Sequence, residues 1–305
     1  MKNQDRKKHA YLIIAHNEPL VLKTLLRLLD HPLNDIFIHI DRRASALTKE
    51  IEHQELSFSQ LHILQPQIPV YWGNVSQIEV ELTLFETAHE HGEYAYYHLL
   101  SGVDLPIKTQ DEIHQYFDEH QGEEFVGFWT DAFHQRDLKR KVYRNYIFTQ
   151  YFKGGRPLIH SITSFLRNMY LALQKVTCYR RSFPYEPKKG YNWVSITHDF
   201  CSYLISKKEE TLKLYKYSLC ADEIFVQTLL YNSPFKEHVH NDEDAADGSM
   251  RAIDWERGNP YVWQSDDVET LLTSPYLFAR KFSAQQIDAV QEIEKQLHAQ
   301  SSTHH

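Results

Sequence analysis

Ala10-Tyr11-Leu12-Ile13-Ile14-Ala15 is an apolar run of strand formers that ends on His16-Asn17-Glu18-Pro19. From about Leu20 to Leu29 the chain then sets Leu22, Leu25, Leu26 and Leu29 on one helical face, and Asp35-Ile36-Phe37-Ile38-His39-Ile40-Asp41 reads as a second buried strand. A strand, a crossover helix and a second strand in this span make the strands parallel and the fold class α/β. Ligands of such sheets gather beyond the carboxyl ends of the strands, which here means around His16 and Asp41. No GxGxxG dinucleotide fingerprint is present. On their own residues, His16 reads first as a strand-end histidine satisfying backbone groups, and Asp41 as a cap or the partner of Arg42.

Outward from this unit, Val70-Tyr71-Trp72-Gly73-Asn74 leads into a helix from about Ser76 to Glu90, and Tyr94 to Leu100 reads as the next strand. Ser101-Gly102-Val103-Asp104 leaves that strand at once. A loop in this position can present an aspartate to substrate, and Asp104 can also simply cap the turn before Thr109 caps the next helix. Glu124 to Trp129 and the run opening at Lys189-Gly190-Tyr191-Asn192-Trp193 read as further strands, Met250 to Trp255 as an edge strand, and Pro275 to Phe282 as the closing segment. Gln285 to Gln300 forms a polar helix, and His304-His305 reads as a tag remnant. The expected organisation is one domain in two halves (9–120 and 121–284), followed by a C-terminal helix and tail (285–305).

The chain has 305 residues, 42% of them hydrophobic and 13% aromatic, enough for a substantial core. The net charge of −8 argues against general nucleic-acid binding. The charge is uneven: between Arg136 and Lys189 there are 13 Lys and Arg against two acids, Asp137 and Glu186. Three cysteines, Cys178, Cys201 and Cys220, follow no metal-type spacing, so a disulfide framework is not expected. With a charged start from Met1 to Lys8 and no apolar run of spanning length, the expected location is the cytoplasm.

Cys220-Ala221-Asp222-Glu223-Ile224-Phe225 sets two acids before an apolar run. Asp222 reads as an N-cap and Glu223 as a first-turn residue, held and ionised by the helix dipole, though both acids could be caps and nothing more. With Ser101 to Thr109 and Tyr276-Leu277-Phe278-Ala279-Arg280-Lys281-Phe282, this segment resembles the core-2/I-branching β-1,6-N-acetylglucosaminyltransferase and peptide O-xylosyltransferase family, from about His9 to Phe282. The resemblance implies a GT-A-type α/β domain, one central mixed sheet with helices on both faces. It further implies inverting, metal-independent transfer from a UDP-sugar, with UDP-N-acetylglucosamine ahead of UDP-xylose. Glu223 would be the base, and His16, Asp41, Asp104, Arg251, Arg280 and Lys281 would serve the donor, Arg251 being preferred to Arg257. Trp193 and Asp222 would meet the acceptor. A catalytically silent glycan-binding module of the same fold is the alternative.

No cofactor is expected: Arg42-Arg43 stands where an Asp-x-Asp metal motif would place its second acid. A metal-dependent transferase using Asp41 and the acidic run Asn241 to Asp244 is the competing mechanism. Animal members of the family carry a Golgi anchor and several disulfides, which this sequence lacks. That suggests a bacterial relative acting on a surface polysaccharide. If its glycan acceptor is lipid-linked, Lys139, Arg140, Lys141 and Arg144 with an amphipathic helix from Pro157 to Cys178 provide a membrane-docking face within the basic insert 136–189.

Overall fold

The structure, a computed structural model, describes residues 6–153 and 156–303. The first five residues of the charged start and the histidines at the end lie outside them. The strands in chain order are β1 (His9–Ala15), β2 (Asn34–Ile40), β3 (Gln60–Ile63), β4 (Tyr96–Ser101), β5 (Asp104–Pro106), β6 (Ser195–Thr197), β7 (Arg251–Ile253) and β8 (Phe278–Arg280).

β1 pairs in parallel with β2, Tyr11 opposite Ile36 and Ile13 opposite Ile38, so the opening strand–helix–strand unit stands. The principal sheet runs β3-β2-β1-β4-β6, with β6 alone antiparallel. Because side chains alternate across a strand, Tyr11, Ile13 and Ala15 enter the core on one face. Ala10 and Leu12 enter the core on the other. Helices Pro19–Leu28 and Gln110–Glu119 cover the first face, and Ser76–His91, His198–Ser206 and Phe225–Tyr231 the second. A central mixed sheet with helices on both faces is thus observed. Thr109 caps the helix Gln110–Glu119 in a capping box with Glu112.

Three expectations need correction. The sheet is not single: β5, β8 and β7 form a separate three-stranded sheet, with β7 at its edge. Glu124 to Trp129 is not a strand; only Glu124 and Phe125 make isolated bridges. Beyond them Gly127 runs directly beneath the Ala245 carbonyl, so a helix rather than a strand covers it. The C-terminal helix, Ile287–Thr303, is no polar appendage, because Ala289, Val290, Ile293 and Leu297 join the first core and Glu294 pairs with Arg27 at 2.6 Å. The amphipathic helix is present as Pro157–Val176 and turns its apolar side outward: Leu158, Phe165 and Val176 are 72%, 68% and 79% exposed, while Thr163, Arg167 and Gln174 are buried. Among the described residues no helix is long and apolar enough to cross a membrane. The three cysteines are free.

Candidate active site

The carboxyl ends of β1 and β4 open onto a cavity of about 600 Å³, where Ala15, His16 and Ser101 meet residues from distant loops. Asp41 lines it just beyond β2. Its carboxylate accepts from the Arg43 amide at 2.8 Å and the Val70 amide at 3.2 Å, and pairs with the Arg43 guanidinium at 2.6 Å. Burial opposes ionisation there, yet Arg43 and the amides hold Asp41 below the usual carboxylate range. The partner is therefore Arg43 rather than Arg42. The shielding walls around His16 keep its imidazole below its ordinary range.

Glu223 is held differently from expectation. A 3-10 turn, Ala221–Glu223, precedes the helix Phe225–Tyr231, whose N-cap position belongs to Ile224. Asp222 is therefore not a cap, and the helix dipole is not what holds Glu223. Instead the turn is pinned by Cys220 donating to the Gly73 carbonyl at 3.0 Å and by Gly190 donating to the Glu223 carbonyl at 3.0 Å. Gly190 must be glycine, since a Cβ there would lie 1.7 Å from the Gly127 carbonyl oxygen.

The Glu223 carboxylate meets Lys189 at 3.2 Å and Lys141 at 3.3 Å, both through Oε2. Asp137 Oδ2 meets the same two ammonium groups at 2.8 and 2.9 Å. Two buried cations thus lie between two carboxylates, charges balanced. Burial pulls the Lys141 ammonium down, but Glu223 and Asp137 more than offset it and raise its pKa. Lys141 is accordingly a site residue and no part of a docking face, a correction to its reading as surface charge. The sequence signal that could have found the pair was weak: Lys189 stands beside Gly190, and Asp137 and Lys141 share one helical face four residues apart.

Asp222 and Glu81, the latter not foreseen, add two buried acids to the cavity wall. Gln77 donates to Asp222 Oδ2 at 3.2 Å and Asn192 to Glu81 Oε1 at 2.9 Å. Asp222 Oδ1 and Glu81 Oε2 have no protein partner. Burial, then neighbouring Asp222, pushes the Glu81 carboxyl well above its usual range, and burial, then Glu223, pushes Asp222 up to about 7. A folded-state pKa raised for an acid means the unfolded chain releases its proton first, so the Asp222 contribution to stability falls as pH rises from about 4 and levels off above about 7. Asp222→Asn is expected to flatten this decline and to stabilise the protein at about pH 8, by up to about 4 kcal/mol. Urea unfolding at about pH 5 and about pH 8 measures it; an equal effect at both would refute the raised pKa.

β8 carries Arg280, whose guanidinium bonds Asp104 Oδ1 at 2.6 Å and stacks 4.6 Å over the Trp193 ring. Asp104 also accepts from the Ser101 amide at 2.8 Å. It is 2% exposed and does not line the cavity, so its part is to hold Arg280 and the turn rather than to meet a ligand. Burial raises its pKa against the pull of Arg280. Lys281 reaches the cavity next to Arg280. Arg251 does not. It is buried among the Val194 carbonyl at 2.8 Å, Ser195 Oγ at 2.9 Å and the Phe278 ring, and burial lowers its pKa to about 9. The apolar Ala252-Ile253 flank that recommended it signals insertion into the core instead. Arg257 is likewise no cavity residue, being paired with Asp254 and Asp267.

Trp193 lines the cavity, and so do Trp72, Trp129 and Trp255, making four of the chain's five tryptophans. Their indoles give flat apolar walls among polar groups, as small-ligand sites require. The acidic run is a capping loop: Asn241 accepts from the Glu243 and Asp244 amides, and Asp244 caps the helix Ala245–Ser249.

Cations, carboxylates and indoles thus converge on one cavity beyond the carboxyl ends of the strands of an α/β sheet. The chain belongs to the Core-2/I-Branching enzyme family, whose sequence model matches residues 9–271. Similar proteins include xylosyltransferase 2 of Canis lupus familiaris, 23% identical over 93% of this chain and 33% of that protein. A xylosyltransferase of Ciona intestinalis is 21% identical over 89% of this chain and 32% of that protein. Among solved structures, the apo form of mouse xyloside xylosyltransferase 1 aligns with a TM-score of 0.38 at 12% identity, covering 92% of this chain and 99% of that one. The chain spans about a third of the length of the curated relatives it matches.

Proposed function

We propose that this chain is an inverting glycosyltransferase that moves a sugar from a UDP-sugar to a hydroxyl of a glycan. The observation that carries the reading is that Glu223, ion-paired through one oxygen, and the Arg280–Lys281 cations line the same cavity. In the reaction the acceptor oxygen bonds to the anomeric carbon, Glu223 takes the hydroxyl proton, and the bond from that carbon to the diphosphate breaks on the opposite side. The electron pair leaves with UDP, whose charge Arg280 and Lys281 stabilise. The nucleotide lies against the β1 and β2 ends near His16, with Asp41 and Arg43 shaping that end. Asp222 and Trp193 meet the acceptor. Metal independence is supported by the Asp41 carboxylate being taken up by Arg43 and two amides.

Of the two donors, UDP-xylose now stands ahead of UDP-N-acetylglucosamine, because the relatives matched along nearly the whole chain are xylosyltransferases. The acceptor remains a polysaccharide or lipopolysaccharide glycan in a bacterial cytoplasm on this reading. The test is a panel of nucleotide sugars scored by thermal stabilisation and then by transfer. A ligand held only by the folded state raises apparent stability in proportion to RT ln(1 + [L]/Kd), about 2.7 kcal/mol at a hundredfold excess over Kd. UDP and UDP-xylose are expected to stabilise the protein, and UDP-xylose to be slowly hydrolysed. Stabilisation by UDP with hydrolysis of no donor would return the chain to a silent binding module.

A further inference from the structure

We propose that the helix Pro157–Val176 and the cations at its C-terminal end form a surface that docks on an anionic phospholipid bilayer. Leu158, Ile162, Phe165, Met169, Leu173 and Val176 recur every three or four residues, so they form one stripe along the helix. All six are more than half exposed, from 51% for Ile162 to 79% for Val176. The helix is not loosely attached with its apolar side accidentally free. Its opposite, polar side is the one fitted to the protein: Gln174 brackets Asn145 through both backbone groups at 2.8 and 2.9 Å, and the Arg167 guanidinium stacks 4.7 Å from the Phe152 ring. At 20 residues the helix runs roughly 30 Å, long enough for the stripe to be a continuous apolar patch of the kind that marks an interaction site.

The charge around the stripe selects the partner. At the C-terminal end, Arg136, Lys139, Arg140, Arg144 and Arg180 surround a shallow basin of about 370 Å³ that also contains Tyr143 and Tyr179 but no acid. Asn145 donates to the Tyr179 hydroxyl at 3.0 Å, tying this basin to the segment that Gln174 holds. Between Asp137 and Glu186 the sequence contains no carboxylate. A second copy laid stripe on stripe would bring no carboxylate of its 138–185 segment to the basin, whereas an anionic bilayer accepts the apolar stripe and neutralises the basin together. The helix starts four residues after Lys153, which lines the reaction cavity beside Trp72. Docking therefore sets the cavity near the bilayer surface, and if the proposed transfer holds, its acceptor is a lipid-linked glycan.

Flotation of the full chain with vesicles of phosphatidylcholine alone and of phosphatidylcholine mixed with phosphatidylglycerol tests this. The wild type is expected to float with the anionic vesicles, weakly at high salt, and not with the neutral ones. Phe165→Gln with Met169→Gln, and separately Arg136→Gln, Lys139→Gln, Arg144→Gln and Arg180→Gln together, are each expected to abolish flotation. Each lost cation should weaken binding about fivefold. These side chains are exposed or rim the basin, so melting temperature and stabilisation by UDP should be unchanged, which separates failure of docking from failure of the donor site. No flotation with either vesicle overturns the proposal, as does equal flotation with both. A dimer in sedimentation that Phe165→Gln with Met169→Gln converts to monomer, without flotation, would assign the stripe to a second copy instead.

Discussion

Glu223→Gln is expected to lower turnover by about 10²- to 10⁴-fold, the scale for a positioned general base, while UDP-xylose or UDP still raises the melting temperature. The amide keeps the shape of the side chain and can still accept a hydrogen bond from Lys141 or Lys189, but it cannot take the acceptor's proton. The substitution also removes one of the two carboxylates that balance those lysines, leaving Asp137 in contact with both. A structural role alone would therefore loosen the network, lowering the melting temperature and donor binding along with turnover. A catalytic role lowers turnover far more than either. Retention of more than a tenth of wild-type turnover would end the assignment of Glu223 as base.

The network also explains why so much of the fold and only part of the site could be read from the sequence. Strands β1 and β2 are buried on both faces, so their apolar runs announce themselves, and the leucine face of the helix between them has the matching period. Residues that line the cavity just beyond a strand, such as His16 and Asp41, follow from the topology. Glu223 depends on contacts 82 and 34 residues away in sequence, to Lys141 and Lys189, which no local pattern encodes. The same blindness explains Arg251 and Asp104: an arginine or aspartate read as facing a ligand has the same local sequence as one turned into a core pair. The helix Pro157–Val176 shows the converse. Its period was legible, but which side faces the protein is decided by Phe152, Asn145 and Gln174, and they chose the polar one.

The second large effect concerns the cations that share the cavity with Glu223. Lys281→Ala is expected to weaken UDP binding about 10- to 100-fold, the value of one charge-assisted contact, and to reduce turnover with it. Arg280→Ala removes a comparable contact and also strands Asp104, which is buried and ion-pairs directly with Arg280. Breaking a buried pair from one side costs about 3–5 kcal/mol, so this variant should lose stability where Lys281→Ala does not. Adding Asp104→Asn to Arg280→Ala removes the stranded charge while an amide oxygen can still accept from the Ser101 amide. Melting temperature should then recover, and UDP affinity should not. Recovery of both would mean that Arg280 serves the fold and leaves the diphosphate to Lys281. Transfer by the wild type is expected to persist in chelator; activity that required added manganese would instead assign the leaving group to a cation near Asp41 and reduce Arg280 and Lys281 to bystanders.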